Sequence, residues 1–260
     1  MVKAKKSLGQ NFLIDKNIIE KIINIINIQN KIILEVGPGT GNLTSYILSK
    51  KPKKVYVVEK DNELAIRLKN NYNNQITIFN EDILKFDEKS ISKDKISVFG
   101  NLPYNISTEI LSKWIVRLDN NFWFDHLILM FQKEVADRII AKFNTPNYGR
   151  LSILSNWKLN IEKICDVKPA SFYPKPKVDS SILFFTPKIK FYKINSKNLE
   201  QITRTFFNHR RKMLKKPFNQ IFNGNKNILN KLNINPETRP QNLNHEVYYK
   251  LTKEYEDLIS

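Results

Sequence analysis

KIILEVGPGTG, residues 31–41, decides the fold. Residues 31–36 are an apolar, β-branched run of strand length, the pattern of a strand buried on both faces. Gly37, Gly39 and Gly41 follow at once, and residues 42–48 suit a helix. Glycine lets the backbone approach a ligand closely and opens a helix N-terminus toward it. Alone, such a turn is equally a plain strand-to-helix connection, so the rest of the chain must choose.

Working outward, the pattern repeats. Residues 55–58 form a second strand ending at Glu59, with a helix over 63–68. Residues 77–79 lead to Glu81-Asp82, residues 96–99 to GNLPYN, and residues 127–131 to the helix QKEVADRI. Upstream, Asp15 is a plausible cap for a helix carrying Ile18, Ile19, Ile22, Ile23 and Ile26 on one side. Strands alternating with helices through short loops predict an α/β fold, a mostly parallel sheet covered on both faces. Ligands in such folds bind beyond the carboxyl ends of the strands, where Glu35, Glu59, Asp82 and Asn101 collect on one rim.

Two later apolar segments, 161–167 and 180–185, flank KPASFYPKPKVD, whose prolines make a stiff, non-helical connection. The pair is expected to form an antiparallel hairpin closing the sheet. After Pro187 the chain turns to amphipathic helical stretches rich in Lys, Arg and Asn. The predicted domains are therefore 1–187 and a small helical basic domain, 188–260.

The 43 Lys and Arg against 25 Asp and Glu give a net charge of +18, which favours a polyanionic partner, nucleic acid first. Residues 186–260 carry 15 basic and 6 acidic side chains, so the tail is about twice as densely charged as the rest. Cys165, the only cysteine, has no internal partner, no run approaches 18 apolar residues, and residues 1–10 lack an apolar signal core. The expectation is a soluble cytoplasmic protein without membrane association. His126, Cys165, His209 and His245 offer no zinc-ligand spacing, so no metal is expected. No surplus apolar helix face stands out, which predicts a monomer.

The acids on the rim choose the ligand. Glu35 puts a carboxylate beside the glycine turn, suiting the ammonium of a methionine and repelling a pyrophosphate. Glu59 can accept both ribose hydroxyls; its competing reading is a strand-end cap with a salt-bridge partner in Lys60 or a neighbouring lysine. Asp82 can accept from an adenine amine while Ile83 and Leu84 pack on the ring, or simply cap a turn. Together they trace ammonium, ribose and adenine, the parts of S-adenosylmethionine. Asn101-Leu102-Pro103-Tyr104 then suits methyl transfer to a base amine. The amine's lone pair is delocalised, so the nitrogen must be held in line with the methyl and its hydrogens accepted as it becomes tetrahedral. The side-chain oxygen of Asn101 and the carbonyl of Leu102 supply acceptors, Pro103 fixes the bend, and Tyr104 stacks on the base. No strong general base is required. Phe172 and Tyr173 are candidates for the opposite wall of the base pocket, or for core.

At this point the chain resembles the ribosomal RNA adenine dimethyltransferases, most closely the bacterial small-subunit enzymes associated with kasugamycin sensitivity. The blocks are GQNFLID (9–15), LEVGPGTGNLT (34–44), VEKD (58–61), ED (81–82), GNLPYNIST (100–108), FQKEVADRI (131–139), YGRLS (148–152) and FYPKPKVDSS (172–181). The resemblance implies a Rossmann-like class I methyltransferase sheet with a C-terminal helical domain. It implies that Gln10, Asn11 and Leu13 contact the cofactor beside Gly37 and Gly39, with Glu59 and Lys60 at the ribose and Asp82 and Ile83 at the adenine. It implies that Phe172 stacks near the target base, and that four cofactor molecules dimethylate two adjacent adenosines near the 3' end of small-subunit RNA. That reaction would take place within a pre-ribosomal 30S particle, during late subunit assembly. Arg204, His209, Arg210, Arg211 and Lys212 are a candidate phosphate-binding patch that would help to hold the particle. The alternatives are a large-subunit methyltransferase of the antibiotic-resistance type and an RNA-binding assembly factor without turnover.

Overall fold

In the computed structural model, which describes residues 4–118 and 121–259, the strands in chain order are β1 (Phe12–Leu13), β2 (Ile32–Val36), β3 (Lys54–Val58), β4 (Thr77–Phe79), β5 (Ile96–Asn101), β6 (Phe124–Gln132), β7 (Leu159–Val167), β8 (Phe172–Tyr173) and β9 (Ser180–Pro187). The helices are α1 (Lys16–Ile23), α2 (Asn42–Ser49), α3 (Asn62–Tyr72), α4 (Ser107–Arg117), α5 (Lys133–Ile139), α6 (Arg150–Lys158), α7 (Ser196–Asn208), α8 (Lys215–Phe222), α9 (Lys226–Lys231) and α10 (His245–Ile259).

β2 is buried at all five positions, its four apolar residues as a strand covered on both faces requires and Glu35 with them. It pairs in parallel with β3 on one side and β5 on the other, with Val36 level with Val58 and with Gly100. The seven-stranded order is β4-β3-β2-β5-β6-β9-β7. Successive crossovers run to opposite sides of β2, so the gap between β2 and β5 is the switch point where such sheets open a crevice at their carboxyl ends. The helices supply apolar stripes to cover the sheet: Asp15 caps α1 by accepting from the N–H groups of Asn17 and Ile18, and Ile19, Ile22 and Ile23 of that helix are buried. Each fully buried side chain of this kind contributes about 1.5–3 kcal/mol.

β9 lies between β6 and β7 and pairs antiparallel with β6. The proline-rich connection is more than a hairpin loop. It carries β8, which leaves the large sheet and pairs antiparallel with β1, Phe12 opposite Tyr173 and Leu13 opposite Phe172. Tyr173–Pro174 is a cis peptide.

The chain divides into two compact units, Met1–Ala136 with Ile161–Pro187, and Asp137–Asn160 with Lys188–Ser260. The single cut expected at 187 is therefore corrected: residues 137–160 belong with the C-terminal helices. The reason is packing within that second unit. Tyr249, buried on α10, donates its hydroxyl hydrogen to the carbonyl of Ile153 on α6, and Trp157 Nε1 donates to the Tyr192 carbonyl. No pattern local to residues 137–160 shows which apolar face they will meet. Among the described residues no helix is long and apolar enough to cross a membrane.

Candidate active site

The glycine turn adopts left-handed backbone at Gly37 (φ +67°), Gly39 (φ +59°) and Gly41 (φ +84°). At Gly39 a side chain is doubly excluded, since a Cβ there would lie 2.7 Å from the Phe12 ring. The cleft above the turn is lined by the arm Ser7–Leu13, the turn itself, and residues after β3, β4 and β5, including Glu59, Lys60, Asp82, Ile83, Leu84 and Asn101 through Ile106. All eleven expected cofactor residues line it.

Glu35 is almost fully buried and accepts from Thr44 Oγ1 at 2.6 Å. Burial, with Glu59 nearby, pushes its carboxyl up to about 8. Glu59 is a bracket for the turn: Oε2 accepts from Gly39 N–H at 3.1 Å and Oε1 from Asp61 N–H at 2.9 Å, while Asn80 holds its carbonyl. Burial raises its pKa and the backbone N–H groups oppose the rise. Each carboxylate oxygen keeps a further lone pair for a ribose hydroxyl. Lys60 does not pair with Glu59. It reaches Asp82 Oδ2 at 2.8 Å, and Asp82 Oδ1 also accepts from Leu84 N–H at 3.0 Å. Asp82 thus caps a turn and still has acceptor capacity facing the cleft.

Gln10 lines the cleft, yet its side chain is spent on the protein: Nε2 donates to Asp61 Oδ2 at 2.9 Å and Oε1 accepts from Lys5 N–H at 2.7 Å. Lys5 Nζ adds a 2.8 Å bond to Asp61 Oδ1. Burial of Asp61 works against its ionisation, but these bonds outweigh it and hold its carboxyl below the usual range. Asp61 therefore latches the arm, a role that the VEKD block does not reveal because Lys5 and Gln10 reach it from a distant segment. Thr44 was likewise missed, because its bond to Glu35 joins a helix to a strand with no periodic signal.

At the catalytic turn Asn101 Nδ2 donates to the Asn11 carbonyl at 2.7 Å, which leaves Oδ1 as the free acceptor. Tyr104 is half-buried, its hydroxyl 2.5 Å from Ser180 Oγ, and burial raises its pKa. Leu102 is buried at 1% exposure, so only its backbone serves the site. Phe172 is corrected. It is 1% exposed within the apolar cluster containing Leu13, Ile22, Phe99 and Met130 and does not line the cleft. Alternation along β8 turns Tyr173, at 50% exposure, the other way.

In the helical unit the expected basic patch is only partly gathered. Arg210 is structural, donating to the Pro146 carbonyl and to Gln241 Oε1. Arg204 lies near Arg150, whose pKa is lowered by burial and then by that neighbouring charge. His209, Arg211 and Lys212 line a concavity with Lys215, Lys216 and Arg239, against one acid, Glu237. The last three basic residues were not picked out from sequence, since they come from two separate segments.

The residues present fit S-adenosylmethionine. Because burial favours the protonated form of Glu35 in the free protein, a ligand ammonium is expected to draw it toward its ionised form. Binding at pH 7 is expected to release close to one proton, read by calorimetry in buffers of different ionisation enthalpy. Binding with no proton exchange would show that the ammonium does not reach Glu35. The same raised pKa makes the unliganded fold lose stability as pH climbs from about 4.5 to about 8.

A sequence model described as ribosomal RNA adenine dimethylase matches residues 1–257. The Ribosomal RNA small subunit methyltransferase A of Pelagibacter ubique (strain HTCC1062) is 66% identical over 258 residues, 99% of this chain and 98% of the relative. The protein of the same description from Wolbachia sp. subsp. Drosophila simulans is 38% identical over 264 residues, 100% of this chain and 96% of the relative. Among solved structures, a dimethyladenosine transferase from Plasmodium falciparum aligns with a TM-score of 0.82 and 29% identity, over 95% of this chain and 98% of that one. The 23S rRNA methyltransferase ErmE, at 0.70 and 21%, covering 95% and 100%, shares the fold.

Proposed function

The chain belongs to the ribosomal RNA adenine dimethylase family, and from that premise we infer that it dimethylates two adjacent adenosines near the 3' end of small-subunit RNA within a pre-30S particle. The observation that carries the reading is Asn101, which lines the same cleft as Glu35, Glu59 and Asp82 and whose amide nitrogen is committed to the Asn11 carbonyl, leaving its oxygen as the acceptor. S-adenosylmethionine supplies an electrophilic methyl group. The chain's own residues bind and orient: Glu35 answers the ammonium, Glu59 the ribose and Asp82 the adenine. Asn101 Oδ1 and the Leu102 carbonyl accept the hydrogens of the attacking amine, and Tyr104, pinned by Ser180, offers a ring face to the base. The proton leaves after transfer, so the site needs orientation and fixed dipoles more than a strong base. We take the protein to act as a cytoplasmic monomer.

The small-subunit substrate is favoured over the large-subunit one by a small-subunit methyltransferase that is 66% identical across 99% of the chain, whereas ErmE matches at the level of fold. The test is transfer of labelled methyl groups to purified unmethylated small and large subunits, with mapping of the modified bases. Dimethyladenosine at two adjacent small-subunit positions supports the reading. Modification of large-subunit RNA, or tight RNA binding without transfer, overturns it.

We assign the basic concavity to RNA phosphates. Replacing Arg211 and Lys212 together with alanine is expected to weaken RNA binding and to flatten the slope of log affinity against log salt by about 1–2. Arg210→Ala, in contrast, is expected to lower stability with the salt slope unchanged. An unaltered slope in the double variant would return this surface to ordinary solvation.

A further inference from the structure

We propose that Lys113 is a positioning residue that holds the adenine-recognition turn in register with the catalytic turn. Its ammonium has three hydrogens, and all three are used. They go to the carbonyls of Ile83 at 2.7 Å and Phe86 at 2.6 Å, and to Glu88 Oε1 at 2.8 Å. The side chain is 7% exposed and that of Glu88 is 5% exposed. Trp114, buried at 1%, adds its indole N–H to the same Glu88 oxygen at 2.6 Å.

The turn being held runs from Asp82 to Phe86. Its amino end is satisfied internally, because the Asp82 carboxylate accepts from Leu84 N–H and the Asp82 carbonyl from Lys85 and Phe86 N–H. The carbonyls of Ile83 and Phe86 are outside that internal set and each accepts from a cation, the kind of partner that suits the carbonyls of a short helical turn. Lys113 supplies that cation from α4. This helix grows directly out of the catalytic turn: Ile106 N–H donates to the Pro103 carbonyl and Ser107 Oγ to the Tyr104 carbonyl. One ammonium therefore fastens the Asp82–Ile83 edge of the cleft to the element that bears Asn101 and Tyr104.

Burying a lysine and a glutamate is expensive, and an apolar pair of similar volume would fill the same space at less cost. What the ion pair adds is direction, since three short bonds to fixed acceptors allow one placement of the turn. The consequence is purine selectivity: an acceptor at Asp82 distinguishes an adenine amine from a carbonyl only if the turn is held still. The proposal rests on the assignment of Asp82 to the adenine.

The test uses Lys113→Met and, because that change strands Glu88, the neutral pair Lys113→Met with Glu88→Gln, each checked for cooperative thermal unfolding. Affinities are measured for S-adenosylhomocysteine and for its hypoxanthine counterpart, S-inosylhomocysteine, together with kcat and KM for S-adenosylmethionine. The expected result in a folded variant is a KM raised about tenfold, kcat within about threefold, and a preference for adenine over hypoxanthine reduced about tenfold. Equal weakening for both ligands, or a wild-type preference retained, overturns the proposal while leaving Asp82 in place. A wild-type protein that does not discriminate between the two ligands removes the Asp82 assignment itself, and the proposal with it.

Discussion

Asn101→Ala is expected to slow methyl transfer by about 100-fold or more while RNA affinity stays within about threefold. The side chain acts through one atom. Its amide nitrogen is committed to the Asn11 carbonyl at 2.7 Å, so the oxygen is the acceptor offered to the amine. That oxygen does little for an amine whose lone pair is still delocalised. It does most when nitrogen becomes tetrahedral and its hydrogens turn acidic, which is an interaction strengthened in the transition state. Removing one preorganised group of this kind costs about 10²–10³ in turnover in enzymes that rely on fixed dipoles. Single-turnover transfer with the cofactor saturating is the measurement. The arm loses one tether at Asn11, so a weaker rise in cofactor KM accompanies the drop. A variant with wild-type single-turnover rate would move catalysis away from this residue.

Glu59→Ala is expected to weaken cofactor binding by about 100-fold or more, with a smaller change in kcat at saturation. Two losses combine. Hydrogen bonds to a charged acceptor are worth about 1.5–3 kcal/mol each, so losing the ribose pair alone amounts to about a hundredfold even at the lower limit. In addition, the N–H groups of Gly39 and Asp61 lose their acceptor, and a buried unsatisfied donor costs about 1–3 kcal/mol. The glycine turn then loses its side-chain tie at Gly39, while Gly37 N–H still donates to the Val58 carbonyl at the end of β3. Calorimetry with S-adenosylhomocysteine checks the affinity, and denaturant unfolding checks the stability loss. Unchanged affinity in a destabilised protein would make Glu59 a structural bracket alone.

Much of this was legible because the signals are local. A largely apolar run followed by GPGTG requires a buried strand and a turn that only glycine tolerates, and alternating periodicities predict a mostly parallel sheet, whereas the order β4-β3-β2-β5-β6 is set by the tertiary pairing. The rim acids are legible because they fall at or near the carboxyl ends of those strands: Glu35 one residue before the end of β2, Glu59 directly after β3, and Asp82 three residues after β4. Failures came where one residue has two faces to choose between. In FY at 172–173 the two rings point oppositely along β8, and which one enters the core depends on β1 arriving from 160 residues away. Arg210 and Arg211 are adjacent and chemically alike, yet one meets the Pro146 carbonyl and the other solvent.

The sequence by itself determined the mostly parallel sheet, the rim at its strand ends and the identity of the carboxylates there, because strand ends and glycine turns are set by near neighbours. Only the tertiary structure decided how those groups are spent. Glu59 brackets the turn, Lys60 goes to Asp82, Asp61 latches the arm, and residues 137–160 join the helical unit. Each of these is a contact between segments brought together by folding, and a polar atom's partner depends on what is buried beside it. That is a property of distance in space, which periodicity along the chain does not encode.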